Sequence, residues 1–385
     1  MKLTLFGLGF RPFFLFGSAY AAISIFVWVQ IYSGQFSQSQ SFLSPVIWHA
    51  HEMIFGYAMA VIAGFLLTAA QNWTGIKTLH GFALGLLLAC WLVARILSFS
   101  DLFIWQASFD ILFLIGLAIA LFIPIFKSKN WVNLGMLAKV ILMLASHVVF
   151  YLGVSGHIED GERMGLYSGL YLIIGLMLTV ARRVIPFFIE RGVGYPVTLK
   201  NRIWIDRLSL ILFLFFWMAE ISMPDGNLVT VLAGILFLLH SFRLYGWHTK
   251  GIWNHPLLWS LYVAYGFLIL GFLLKTFAGI SELSPSLAVH TFTYGGIGFM
   301  TLAMMSRVTL GHTGRSLHDH TTGLFWMFLI IFSGAIIRVI LPIIDETNYS
   351  LWINWSQLHW LIAFGIFLFI YATKLIMPRV DGKPG

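Results

Sequence analysis

The sequence predicts an all-α, polytopic membrane protein of about twelve transmembrane helices, and three observations predict it. Of 385 residues, 59% are hydrophobic and only 10% charged, too little polar surface for a soluble fold. About twelve apolar runs of roughly 20 residues follow one another, each long enough to cross a hydrocarbon core. The loops between the runs are short, so residues 1–385 read as a single integral membrane domain.

The runs centre near Tyr20, Ala60, Ala89, Leu114, Met143, Ile174, Phe213, Leu236, Phe267, Met300, Ile330 and Phe364. The first follows Lys2 and Arg11, has no small-residue cleavage site, and reads as a retained helix rather than a signal peptide. Cys90, the single cysteine, lies inside an apolar run. A disulfide framework and a thiolate metal site are thereby excluded.

Charge placement orients the bundle. If the first helix runs outward, most basic residues fall on the side of the N-terminus, from Lys2 and Arg11 through Arg182, Arg183 and Arg243 to Arg379 and Lys383. The exceptions are Arg95, Lys139, Arg163, Lys275 and Arg338, while acidic residues such as Asp101, Glu162, Glu220, Asp345 and Glu346 gather opposite. The positive-inside rule then places both termini in the cytoplasm. The net charge of +8 follows from this bias. It points to contact with membrane lipids and gives no indication of nucleic acid.

This topology sorts the thirteen histidines by depth. His49, His51, His147, His290 and His359 fall in the outer half and His157 in an outer loop, whereas His80, His240, His248, His255, His312, His318 and His320 fall on the inner side. The second run opens with Trp48-His49-Ala50-His51-Glu52-Met53. Ionisable groups at the edge of a hydrocarbon-length helix are costly and need partners. Neutral imidazoles there are good ligands for haem iron or copper. His49 and His51, two residues apart, point roughly 200° apart on a helix and so face different centres. Glu52 is three residues from His49 and shares its face, where it orients an imidazole or relays a proton. The zincin pattern is absent because Phe55 stands where its second histidine would be. The plain alternative is an interfacial Trp-His cap with a snorkelling glutamate.

His290 opens the tenth run and precedes Gly295, Gly296 and Gly298. These glycines admit either a flat cofactor or a neighbouring helix. His147 and His359 read as lone, satisfied histidines. Asp110 and Lys139 are intramembrane and read as an ion pair or a proton path, with nothing in the sequence to pair them.

A short repeat links the second, sixth and tenth runs: Gly64-Phe65-Leu66-Leu67-Thr68, Gly175-Leu176-Met177-Leu178-Thr179 and Gly298-Phe299-Met300-Thr301. A threefold repeat would give three arcs of four helices. That arrangement resembles the architecture of the haem-copper oxidase superfamily, without licensing any transfer of residues.

A closer resemblance rests on several motifs: Gly9-Phe10-Arg11-Pro12-Phe13-Phe14, Trp48-His49-Ala50-His51-Glu52-Met53-Ile54-Phe55-Gly56, Asn72-Trp73-Thr74-Gly75, Arg183-Val184-Ile185-Pro186-Phe187-Phe188, Pro256-Leu257-Leu258-Trp259 and Ser306-Arg307-Val308-Thr309-Leu310-Gly311-His312-Thr313-Gly314-Arg315. Together these resemble the NnrS family. The resemblance implies a haem- and copper-containing bacterial inner-membrane protein, linked to nitric oxide and to resistance against nitrosative stress. It matches at His49, His51, Glu52, His240, Arg243, His290 and His312. The chain departs at Tyr262, where relatives carry a histidine after Pro-Leu-Leu-Trp, and His359 stands outside the pattern.

The expected site follows. His49, His51 and His290 are candidate ligands of a b-type haem or of copper in the outer half. His240 and His312 are candidates for an inner metal or haem site, with Arg183, Arg243, Arg307 and Arg315 available to haem propionates. Glu52 is the candidate proton donor. Nitric oxide partitions into lipid and reaches such a centre without a polar path. The sequence carries no haem-attachment Cys-x-x-Cys-His and no flavin fingerprint, so electrons would come from quinol or another protein. Three function classes are open: a redox protein converting nitric oxide, a non-catalytic haem-based nitric oxide binder, and a twelve-helix secondary transporter coupled through Asp110 and Lys139.

Overall fold

The structure is a computed structural model and describes residues 4–35, 43–317 and 322–382. Lys2, His318, His320 and Lys383 lie outside the described residues. Among the described residues there are twelve continuous helices and no strand. They are α1 (Phe10–Tyr32), α2 (Pro45–Thr74), α3 (Gly81–Leu97), α4 (Phe103–Lys127), α5 (Trp131–Val154), α6 (Gly161–Gly192), α7 (Ile203–Ser222), α8 (Asn227–Gly246), α9 (Pro256–Ile280), α10 (285–312), α11 (Thr322–Ile344) and α12 (Tyr349–Ile376). Each holds one of the expected centres. Nine are long and apolar enough to cross a membrane; α3 is apolar but has only 17 residues. The chain is therefore a multi-pass, all-α membrane protein.

Local chemistry sets the helix ends. Pro45, Pro256 and Pro285 occupy first-turn positions, where a missing N–H costs nothing. Gly75 closes α2 at φ +69°, a left-handed cap that favours glycine. Arg11 is fully buried at the start of α1, and its Nη1 donates to the carbonyls of Leu375 (2.9 Å) and Met377 (2.7 Å). It thereby caps the carbonyl end of α12.

Two helices widen. In α2, residues Glu52–Ala58 form a π-helical segment, and in α10 residues Thr291–Gly298 do the same. Each begins six or seven residues after a Ser-Pro start. The three repeat motifs also share a bond. In each a threonine donates to a carbonyl four residues back: Thr68 to Gly64 (2.8 Å), Thr179 to Gly175 (2.6 Å), and Thr301 to Ile297 (2.7 Å), the residue before Gly298.

The helices group into two compact units, with α6, α10 and α12 contributing to both. The first comprises residues 1–172, 305–316 and 364–385; the second comprises 173–304 and 317–363. In the first, Gly17 packs on Ala60, and Gly64 takes Phe13 and Phe14 of α1. In the second, α8 packs on α9, and α9 on the widened part of α10. Small residues let backbones approach where apolar lipid gives helices no reason to associate.

The five exceptions to the charge bias are accounted for. Arg95 is buried between Glu52 and Asp110. Lys275 pairs with Glu220 at 2.8 Å. Arg338 and Arg163 lie over Tyr349 and Tyr167, and Lys139 reaches the Gly135 carbonyl of its own helix.

Candidate metal centre

Within the first unit, α1, α2, α3, α4 and α5 direct polar side chains to one buried point. His51 and Glu52 come from α2, Arg95 from α3, Gln106 and Asp110 from α4, His147 and Tyr151 from α5, and Tyr20 from α1. Each is buried. His51 Nδ1 lies 2.8 Å from Glu52 Oε1, and His51 Nε2 lies 2.8 Å from His147 Nε2. Asp110 Oδ2 is 3.8 Å from each of those Nε2 atoms and accepts the Tyr151 hydroxyl at 2.6 Å. Arg95 donates one Nη to Glu52 and the other to Asp110. Tyr20 donates to Glu52 Oε2, and Gln106 approaches Oε1 at 3.5 Å.

The widened start of α2 makes this possible. A π turn advances less per residue than an α turn, so His51 and the adjacent Glu52 share one side. Trp91 takes the Gly56 carbonyl at 3.0 Å within the same segment. Glycine at 56 leaves the space through which Arg95 reaches Glu52. Aromatic rings complete the box. Phe55 stacks on His147 with centroids 3.8 Å apart, and Phe150 on His51 at 4.8 Å.

The chemistry of the cluster is that of a cation site. His51 Nδ1–H donates a hydrogen bond to the Glu52 carboxylate, the tautomer that leaves a lone pair on Nε2, facing His147 and Asp110. Two carboxylates, Glu52 and Asp110, face one guanidinium, so ionising both would bury a negative charge without compensation. Such a charge is costly unless a proton or a metal ion joins it. His51, Asp110 and His147 each offer a ligand atom, and these atoms all lie within 4.8 Å of one another. Two imidazoles and a carboxylate suit copper or zinc.

The other expected residues lie elsewhere. His49, half-buried, stacks on Trp28 at 4.5 Å and 15°, so it and His51 do face different surroundings. Glu52 orients His51, its chain neighbour, where the sequence suggested His49. Asp110 pairs with Arg95, not Lys139. His147, read as a lone histidine, completes the cluster. His290 is half-buried, and its Nδ1 lies 2.8 Å from the Ser286 carbonyl four residues earlier on the same helix. The nearby glycines serve packing: an added Cβ would strike Phe267 at Gly295, Leu268 at Gly296 and Trp360 at Gly298.

In the second unit, buried His240 takes part in a network with Tyr265 (2.6 Å) and Arg243 (2.9 Å). A guanidinium only donates, so Nδ1 of His240 accepts and Nε2 carries the proton. That tautomer offers an N–H where a metal needs a lone pair, which argues against His240 as a ligand. Arg243 is also engaged by Asp206 and Ser209, each at 2.9 Å, leaving little for a propionate. Arg183 is exposed and Arg307 is buried. His312 belongs to the first unit, where its ring packs on Phe10, and Arg315 follows it in the loop after α10.

The fold and this cluster define a class: multi-pass helical membrane proteins with a buried His–Asp–His centre. The NnrS protein family model matches residues 4–379, nearly the whole chain, and the chain belongs to that family. At family level this is a nitric-oxide-related, haem- and copper-associated membrane protein. No curated protein matches the chain.

Proposed function

We propose that the chain holds a copper ion at His51, Asp110 and His147, carries haem on a separate imidazole, and binds or converts nitric oxide in the bacterial inner membrane, both termini cytoplasmic. The observation that carries this reading is the convergence of two buried imidazoles and a buried carboxylate, whose ligand atoms all lie within 4.8 Å of one another inside apolar helices. A copper ion there would supply a one-electron redox centre. Of the expected haem ligands, His290 has the better-set geometry, since a carbonyl bond fixes its ring.

The remaining residues hold that centre. Glu52 accepts from His51, Gln106, Tyr20 and Arg95, which fills the four lone-pair positions of a carboxylate. It is thus better suited to fixing the His51 tautomer than to donating a proton. Tyr151, donating to Asp110 and lying 3.3 Å from His51 Nε2, is the hydroxyl nearest the imidazole pair for proton movement. Nitric oxide enters from lipid, and electrons come from quinol or a separate protein.

Metal analysis with an anaerobic optical titration of the reduced protein tests the reading. Stoichiometric copper, a Soret band and its displacement by nitric oxide are expected. A colourless, copper-free and active preparation would favour the transporter class instead.

A further inference from the structure

A second polar cluster lies at the end of the first unit where the N-terminal loop meets the end of α12. Thr4 N donates to the Ile376 carbonyl (3.0 Å), and Val380 N to that of Thr313 (3.1 Å). Arg11 is fully buried there. Its Nη1 is used to cap α12, but its Nε and Nη2 have no hydrogen-bond partner among the described residues. The buried Nη1 of Arg315 has none either. Arg315 and Arg379 lie within electrostatic reach of Arg11, and Arg315 of Lys374. Among the described residues the recorded carboxylate here is Asp381, which Arg379 grips through Nε (2.9 Å) and Nη2 (2.6 Å).

Buried guanidinium N–H groups without acceptors are expensive, and guanidinium does not escape by losing its proton. An anion with several oxygens would satisfy these donors together and offset the gathered positive charge. Phe6 (38% exposed) and Val380 (62%) flank the cluster as apolar surface. The position, at the ends of apolar helices, is the level at which lipid headgroups lie.

We propose that Arg11, Arg315 and Lys374 form a binding site for the phosphate of an anionic phospholipid, with its chains along the exposed apolar side chains. The site is separate from the metal centre and does not depend on it. Full-length protein is transferred to phosphatidylcholine nanodiscs containing graded phosphatidylglycerol, and bound lipid is counted by native mass spectrometry. Wild type should retain phosphatidylglycerol selectively. Arg315→Gln should lower that selectivity by about fivefold and Lys374→Gln similarly, the effect of one cation near a lipid headgroup. Arg163→Gln, at the start of α6, serves as control and should leave it unchanged.

Millimolar inorganic phosphate separates the sources. If it displaces phosphatidylglycerol only partly, the lipid is the ligand. If phosphate alone binds with no preference among lipids, the lipid assignment falls. Haem content is read in the same samples. Loss of haem in Arg315→Gln at unchanged lipid selectivity would overturn the proposal in favour of a carboxylate ligand, and equal selectivity in all variants would overturn it outright.

Discussion

His51 and His147, ninety-six residues apart in sequence, bring their Nε2 atoms to 2.8 Å inside the first unit. Two ring nitrogens held this close need something positive between them. One proton suffices for the pair alone; Asp110 Oδ2, 3.8 Å from both, adds the third group of a set that could hold a metal ion. The expected consequence is a sharp division among histidines. His51→Ala and His147→Ala should each lower copper per protein at least tenfold, the loss of one ligand of three. His49→Ala, which removes a ring stacked on Trp28, should not. Elemental analysis of purified variants checks this, and wild-type copper in His147→Ala would place the metal elsewhere.

Arg95 donates to both Glu52 and Asp110, so its removal takes the guanidinium from two buried carboxylates. Arg95→Met should cost about 3–5 kcal/mol, the range for breaking a buried ion pair from one side. Adding Asp110→Asn should restore part of that loss, because the two positions are coupled. Thermal unfolding in detergent measures both. Additive effects would mean that the triad of charges is not one unit.

Much of the fold was legible because each span needs its own apolar run, and runs are local in sequence. All twelve predicted centres fall in helices for that reason. The site was legible only in outline. Asp110 declared itself as a charge in an apolar run and Arg95 only as an exception to the charge bias, and their pairing depends on how α3 and α4 pack, which no local pattern records. His147 is unremarkable within Ser146-His147-Val148 and becomes a candidate ligand only beside His51. The π turn that begins at Glu52 was also invisible, as was the bond of Glu52 to His51 in place of His49. The glycines after His290 were visible as close-approach positions, but what approaches them is a helix.

Glu52→Gln separates a positioning role from proton donation. Glutamine keeps the volume but removes a charge and places a donor where an acceptor stood. If Glu52 fixes the His51 tautomer, copper affinity should fall by about 10–100-fold, as for other partners of metal-bound histidines. The copper electron paramagnetic resonance signal should change as well. Haem content should remain. Slower nitric oxide consumption with unchanged copper affinity and spectrum would instead restore the proton-donor role.

Gly56 offers the finest test of the geometry. A Cβ there would lie 2.8 Å from Arg95 Nη1, 3.0 Å from Tyr20 Cε1 and 3.1 Å from Glu52 Oε2, inside the bridge that holds the cluster. Gly56→Ala adds one methyl group and changes no charge, so its effect arises from displacement of Arg95. The expected cost is about 1–3 kcal/mol, typical of overpacking, together with weaker copper binding. Gly135→Ala in α5 is the matched control, since its Cβ would meet nothing within 4 Å. It should leave stability within about 0.5 kcal/mol of wild type and copper unchanged. Unfolding curves and copper titrations on the two variants decide the matter, and equal behaviour of Gly56→Ala and Gly135→Ala would show that Arg95 does not need the close path to Glu52.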